Sequence, residues 1–390
     1  MALETDLLIL GGGCAGLSLG VRLSDARSAQ SRVVILEARP EYTHDRTWCF
    51  WRHDAARFQH LVSHSWNRMR VNSARGSVTF DCGALPYDML PSGAFYAEAQ
   101  ARIASSTDVH LETGAVVIGI PQRIKHRWHV ETSAGAVCAR QIIDTRPTVA
   151  PQIGNVILWQ SFFGQEIECP PARFDTAVAD LMDFVETTSD GIAFRYVLPL
   201  STTRALVEYT VFGPHPLSPR QLSQAQGDAI RSVTNGAGFS VIRNESGVLP
   251  MGLTQSLPAV ETDYVRVGLM AGAGRASTGY AFQRIQRWAS ASAASLRRNG
   301  FDVAHRADAL PQRAMDRLFL TVLRDKPELA PELFVRLFSR TDASRVLRFL
   351  SDCGGPLDVA SVIASLPLGL FLRQLRTAFE WPSMRLRSTR

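Results

Sequence analysis

The segment LLILGGGCAGLSLGVRL, Leu7 to Leu23, constrains this chain more than any other stretch. An apolar strand over Asp6 to Leu10 runs into Gly11, Gly12 and Gly13. Cys14 and Ala15 then open a helix read as Ala15 to Leu23, with Gly16 completing a GxGxxG spacing. The glycines do different things: Gly11 permits the turn, Gly13 lets a pyrophosphate approach the backbone, and Gly16 allows close helix–strand packing. The helix amino terminus then faces the anion. A second strand over Val33 to Glu37 ends on an acid 21 residues after Gly16, where a carboxylate can accept from an adenosine ribose. Strand, helix and terminal acid together predict a dinucleotide site, not a glycine-rich loop that merely packs tightly.

The rest of the chain discriminates FAD from a nicotinamide cofactor. Instead of another βα unit, the second strand leads into the polar, aromatic stretch HDRTWCFW, His44 to Trp51. In that stretch Arg46, with His44, Trp48 and Trp51, is expected near the flavin or the substrate entrance; an aromatic cluster under a loop is the competing reading. A late return to the cofactor is expected in VGLMAGAGRASTGYAF, Val267 to Phe282, which reads as a strand, a glycine-rich loop and a helix start. Its candidates are Gly272, Gly274, Thr278 and Gly279.

Between these segments, extended runs at 115–120, 127–131, 140–144 and 156–168 and the β-branched region 174–212 predict a largely antiparallel sheet. Ser218 before Pro219 starts a helix over 221–233, and a strand follows at 239–249. From Tyr280 the pattern is helical, with segments at 282–298, 311–324, 331–339, 343–351 and 359–372. The fold class is thus α/β plus β: a Rossmann-like FAD domain assembled from 1–85, 132–158 and 262–300, an antiparallel β-sheet substrate domain from 86–131 and 159–261, and a helical region over 301–390.

Composition narrows the function classes. At 46% apolar and 20% charged over 390 residues, the chain is ordinary globular protein. A formal charge of +6 argues weakly for anionic partners and does not support nucleic-acid binding. Six scattered cysteines without paired spacing point to a reducing compartment and to no metal site. Met1 to Leu10 lacks a basic signal-peptide region, so a cytoplasmic location is expected.

Eight motifs occur here in the order in which bacterial lycopene cyclases carry them. They are RTWCFW, QIIDTRP (Gln141 to Pro147), FFGQEIE (Phe162 to Glu168), LMDF (Leu181 to Phe184), YVLPLSTTRALVEYT (Tyr196 to Thr210), GVLPMGL (Gly247 to Leu253), STGYAF (Ser277 to Phe282) and DRLFL (Asp316 to Leu320). The chain therefore resembles the lycopene β-cyclase family over almost its whole length. The resemblance implies a fold related to flavin aromatic hydroxylases and geranylgeranyl reductases, bound FAD in its reduced form with NAD(P)H as indirect reductant, and lycopene and other linear carotenoids as substrates. It also implies cyclisation of linear ends to β-rings, giving γ-carotene and β-carotene, with no net redox change. Within VEYT, Glu208 falls where the family has the acid required for catalysis. Tyr209 departs from the second acid that many members carry, which puts in doubt a role shared by two adjacent carboxylates.

The chemistry also stands on its own. Cyclising a polyene end needs a proton added to the terminal double bond, attack of the neighbouring alkene on the cation, and loss of a ring proton. A carboxyl buried beside a polyene keeps its proton because burial disfavours the carboxylate. Glu208 suits this unless it is paired with Arg204 or Arg195. An anionic reduced flavin ~5 Å from the cation would stabilise it by roughly 3 kcal/mol at an effective dielectric near 20. Asp144 and Arg146 close a strand where related flavoenzymes have an Asp-Gly signature; DTRPT lacks the Gly, which counts mildly against an NADPH-dependent hydroxylase. Met182 and Asp183 match the family without an assignable step.

A long hydrocarbon substrate resides in a bilayer, so peripheral association with a membrane surface is expected. The uncharged run Val359 to Leu372 is too short to span and suits the interface, and residues 373–390 add five Arg against one Glu. Two alternatives remain open: a flavin oxidoreductase, such as a saturase or hydroxylase, acting on another isoprenoid, and a carotenoid-binding module with a relic flavin domain.

Overall fold

The computed structural model describes residues 2–25, 32–53, 57–147, 156–170, 172–185, 191–253 and 261–379. The chain divides into two compact units. The first comprises Met1–Ser65, Tyr87–Gly154 and Leu253–Ala307; the second comprises Trp66–Pro86, Asn155–Gly252 and Asp308–Arg390.

The first unit is built on a parallel sheet. Val109–Thr113, Val33–Glu37, Leu3–Leu10 and Gly135–Asp144 lie side by side in that order, and Tyr264–Arg266 pairs in parallel with the end of Gly135–Asp144. Leu7 and Ile9 alternate with Leu8 and Leu10, and each pair belongs to a different buried cluster. A strand covered on both faces needs such a continuous apolar run. Helix Cys14–Ser24 packs against Phe282–Arg297 and Ser92–Ala104. Gly20 lets this helix lie close on strand Val33–Glu37, since a Cβ there would meet Ile35 Cδ1 at 2.4 Å.

Residues 87–131, expected in the substrate domain, fall in this first unit. Helix Ser92–Ala104 leads into Val109–Thr113, which pairs in parallel with Val33–Glu37 and supplies the further βα unit that the sequence did not reveal. The antiparallel pair Thr47–Trp51 and Tyr87–Pro91 is inserted ahead of that helix and hides the repeat. Val117–Ile124 and Arg127–Thr132 extend the same sheet from Gly135–Asp144. The strand that leads into the second glycine-rich loop is short: Tyr264–Arg266 is extended, and Leu269–Ala271 turns into a short 3-10 helix after Gly268 at φ +95°.

The second unit carries a seven-stranded sheet in the order Ser240–Met251, Leu158–Glu168, Arg204–Gly213, Ile192–Pro199, Ala179–Phe184, Arg68–Ser73, Gly76–Asp81. All pairings are antiparallel except that of Ala179–Phe184 with Arg68–Ser73. That parallel pairing brings residues 66–85, expected in the cofactor domain, into this unit. Helix Pro219–Val233 starts at a Ser218/Gln221 capping box and closes one sheet face over Val197, Val207, Tyr209 and Val211. The helices from Leu310 onward group with the same unit; Ala330–Ser339 packs on the two strands of residues 68–81, with Phe80 stacked on Phe338 at 4.4 Å.

The last apolar stretch is two helices, Pro356–Ser365 and Leu368–Phe379, bent by 97°. Pro367 accounts for the break, because a residue before proline is driven to extended backbone, and Leu366 sits at ψ 156°. Among the described residues no single helix is long and apolar enough to cross a membrane. The end of the basic tail, residues 380–390, lies outside the described residues.

Candidate functional site

In the first unit, the fingerprint folds as a cradle at the carboxyl end of Leu3–Leu10. Gly11 adopts φ +95°, which only glycine accepts cheaply, and a Cβ on Gly16 would lie 2.0 Å from the Gly11 carbonyl oxygen. Gly13 is different: a Cβ there meets nothing within 4 Å, so the space before the helix is open. The free amides of Cys14, Ala15 and Gly16 at the start of the helix supply the positive end of its dipole there. Burial pushes the Cys14 thiol up to about 12, which keeps it unreactive.

Glu37 closes the cradle. Its Oε2 accepts from the Gly12 amide at 2.8 Å, and its Oε1 accepts from the Arg39 amide and Nε, each at 2.9 Å. Burial opposes its charge, but the Arg39 and Gly12 donors outweigh that and hold it below the usual carboxylate range. Tyr42 donates to the Gly12 carbonyl at 2.9 Å, with Arg39 over its ring.

The second glycine loop leaves a strand two places away, and Thr145 ties the two loops together. Its hydroxyl donates to the Leu10 and Gly11 carbonyls at 2.9 Å, and its own carbonyl lies 3.4 Å from where a Gly268 Cβ would be. Gly268 donates its amide to His305 Nε2 at 2.8 Å; burial, then the Arg284 charge, lowers that imidazole to about 4, so it stays a neutral acceptor. Gly272 and Gly279 take φ +88° and +72°, Gly274 packs on Leu269 and Gly279, and the Thr278 and Gly279 amides close a turn on the Arg275 carbonyl.

The other sequence candidates distribute as follows. Arg46 is exposed, with its amide on Ser92 Oγ at 3.0 Å; its neighbour Asp45 accepts from Arg39, so this segment borders the Glu37 end of the cradle. Trp48 and Phe50 stack on Phe282, and Trp51 packs against Tyr87, which makes them an aromatic cluster inside the first unit. Asp144 is spent on Arg146 and on the Tyr264 hydroxyl, and Asp183 on Arg195 and Asn72.

In the second unit, Glu208 is 8% exposed on Arg204–Gly213. Neither candidate arginine neutralises it: Arg204 binds Glu166, and Arg195 binds Asp183. Strand alternation puts the fully buried Leu206 on its face, while Val207 and Tyr209 point to the opposite face, into the core under Pro219–Val233. A second acid at position 209 would therefore sit in that core, away from Glu208.

The partner carboxylate comes from elsewhere. Glu208 pairs with Gly164 on Leu158–Glu168, and Gly164 pairs on its other side with Glu245 of Ser240–Met251. Opposed residues of antiparallel strands share a face, so Glu208 and Glu245 flank a position that has no side chain. A Cβ on Gly164 would lie 2.7 Å from Glu208 Cγ and 3.2 Å from its Oε1. Burial first, then the charge and hydrogen bond of Glu245, push the Glu208 carboxyl well above the ordinary range; Arg243 pulls the other way. Arg243 binds both Glu245 and Glu166. Glu245 is the residue that sequence reasoning misses, and the isolated glycine inside FFGQEIE is its only signal.

A nucleotide cradle in one unit and a buried carboxyl with a raised pKa in the other are an unusual pairing, and comparison with known proteins accounts for it. The fold is that of flavoproteins. A geranylgeranyl bacteriochlorophyll reductase-like protein from Thermoplasma acidophilum aligns with a TM-score of 0.62 at 12% identity, covering 97% of this chain and all of that one. The flavin-dependent monooxygenase PieE, solved in complex with FAD and substrate, aligns at 0.56 and 13%, covering 93% of this chain and 73% of its own. Among curated proteins, the lycopene beta-cyclase of Pantoea ananas is 26% identical over 284 residues, 70% of each chain. That of Paracoccus sp. (strain N81106 / MBIC 01143) is 27% identical over 285 residues, 70% of this chain and 69% of its own. The model of the lycopene cyclase protein family matches residues 6–375, and with that extent of match the chain belongs to the lycopene cyclase family.

Proposed function

We propose that this protein is an FAD-dependent lycopene β-cyclase in which Glu208 donates the proton that starts ring closure. The observation that carries the reading is a buried carboxyl whose pKa burial raises, with Arg204 and Arg195 each bound to another acid. A general acid must reach the reaction still protonated, and burial and Glu245 raise the Glu208 pKa in the direction that condition needs.

FAD fits the first unit. The open space at Gly13, the helix amino terminus behind it and Gly11 suit a pyrophosphate, with Gly272, Gly274, Thr278 and Gly279 on the second loop. Glu37 suits the ribose, whose hydroxyls would take the place of Arg39 side-chain contacts. When bound in its reduced form, kept so by NAD(P)H through an indirect route, FAD supplies negative charge that stabilises a carbocation.

The protein side chains do the proton chemistry. The Glu208 O–H bond breaks as a C–H bond forms at the terminal alkene of a linear carotenoid, the neighbouring alkene closes the ring, and a ring proton passes back to the carboxylate. Electrons balance without oxidant or reductant, so lycopene gives γ-carotene and then β-carotene. The fully buried Leu198 and Leu206 and the Phe194–Phe212 edge contact line the Glu208 side of the sheet with apolar surface, which suits a hydrocarbon. Access from a membrane surface is supported by Leu357, Ile363, Leu368, Leu372 and Leu375, which stay exposed on the two bent helices. The test is conversion of lycopene in liposomes by the flavin-loaded protein and its Glu208→Gln variant: cyclised product from the first alone is expected, and equal product from both would overturn the role given to Glu208.

A further inference from the structure

We propose that Glu245 is a positioning residue for Glu208: bound to Arg243, it shares one proton with Glu208 through the gap left by Gly164, and so keeps Glu208 in the proton-donating form. The inference rests on the reading of Glu208 as the donor. Residues two strands apart are separated by roughly 10 Å of backbone, too far for two carboxyls when a side chain stands between them. Gly164 removes that side chain, and Glu208 leans into the space, as the 2.7 Å to a notional Cβ records. Both acids are buried, Glu245 at 4% exposure. Two carboxyls at close quarters in a buried site cannot both ionise, and Arg243 binds Glu245 on its own strand.

Charged and titratable groups also stand on the neighbouring strands and on the helix over the opposite face. On the central strand, Glu166 is held by Arg204 and Arg243. Opposite Glu208 on Ile192–Pro199 stands Tyr196. The helix Pro219–Val233 covers the opposite sheet face, and its Arg220, Asp228 and Arg231 are exposed. Among the described residues, Glu245 is thus the acid positioned to share the Glu208 proton. Each ring takes one proton at a carbon and releases one from another, so the pair regains at the end what Glu208 gave at the start, and no electrons move.

Two readouts on the flavin-loaded protein separate this inference from the reading it rests on. The first is infrared titration of the buried carboxyl without substrate; the second is the pH profile of cyclisation. With Glu245→Gln, the titration of Glu208 and the alkaline limb of the rate should both move down by at least about one pH unit, a tenfold loss above the new limb, while activity returns at lower pH and KM stays within about twofold. Should that variant not fold, Glu245→Asp, which keeps the charge but withdraws it by one methylene, must move the same limb by a smaller step in the same direction. An unchanged titration and profile in the folded variant overturn the inference. If instead Glu208→Gln cyclises at the normal rate, the donor reading fails, whatever the titration shows.

Discussion

Glu208 and Glu245 face each other across Gly164, two carboxyls on the outer strands of a three-strand row whose central residue has no side chain. Position 209 looks into the core under helix Pro219–Val233, so the charge that influences Glu208 has to come from across the sheet.

Replacing Glu208 by Gln should separate stability from activity. Because folding raises the Glu208 pKa, its stabilising contribution is complete below the unfolded value of 4.5 and is lost as pH rises from there towards the folded value. Gln carries no such loss. Melting curves should show the variant as stable as the parent at about pH 4 and gaining on it as pH rises from there, with cyclisation reduced by about 10²–10⁴-fold.

Gly164→Ala should fail for a steric reason. Its methyl would press on Glu208 Cγ, costing about 1–3 kcal/mol and forcing the two acids apart. The double variant Gly164→Ala/Glu208→Ala should recover most of the lost stability in denaturant unfolding; additive losses would place the strain elsewhere.

In the cofactor cradle, two glycines should behave differently. Gly16→Ala collides with the Gly11 carbonyl and should destabilise the protein itself. Gly13→Ala puts a methyl into open space, so the flavin-free protein should melt normally while FAD affinity, measured by fluorescence titration, drops by about tenfold or more.

These sites are not equally legible in the sequence. The fingerprint and Glu37 can be read because their geometry is local: strand, turn and helix lie within forty residues. Glu208 can be read because VEYT lies within one contiguous motif that carries the resemblance to the lycopene β-cyclase family. Glu245 cannot, because it reaches Glu208 only through strand pairings that join residues some eighty positions apart, and register is not written in either segment alone. The unit boundaries are hidden for a related reason: the Thr47–Trp51 and Tyr87–Pro91 pair splits a βα repeat that would otherwise be plain.

His305 should give the first unit an acid-sensitive step. Unfolded, its imidazole binds a proton below 6.5; folded, only below about 4. Acidification through that window therefore favours the unfolded chain, and stability should rise by about 3 kcal/mol between pH 4 and 6.5 and then level off. His305→Gln should flatten that rise in pH-dependent melts.

The bent helix pair should hold the protein to lipid. Leu368→Asp/Leu372→Asp removes two exposed apolar side chains, worth about 1.5–3 kcal/mol each if they enter an apolar phase. Partitioning onto anionic vesicles should fall by about 10²-fold with an unchanged melt; equal partitioning would reduce these leucines to ordinary surface.

The most direct measurement of the central claim is the stoichiometry of reductant against rings formed. With lycopene in liposomes, pre-reduced FAD and strict anaerobiosis, many β-rings per flavin should form with no matching consumption of reductant. One reducing equivalent pair consumed for each product molecule would contradict the non-redox mechanism and make this chain a flavin oxidoreductase built on a cyclase fold.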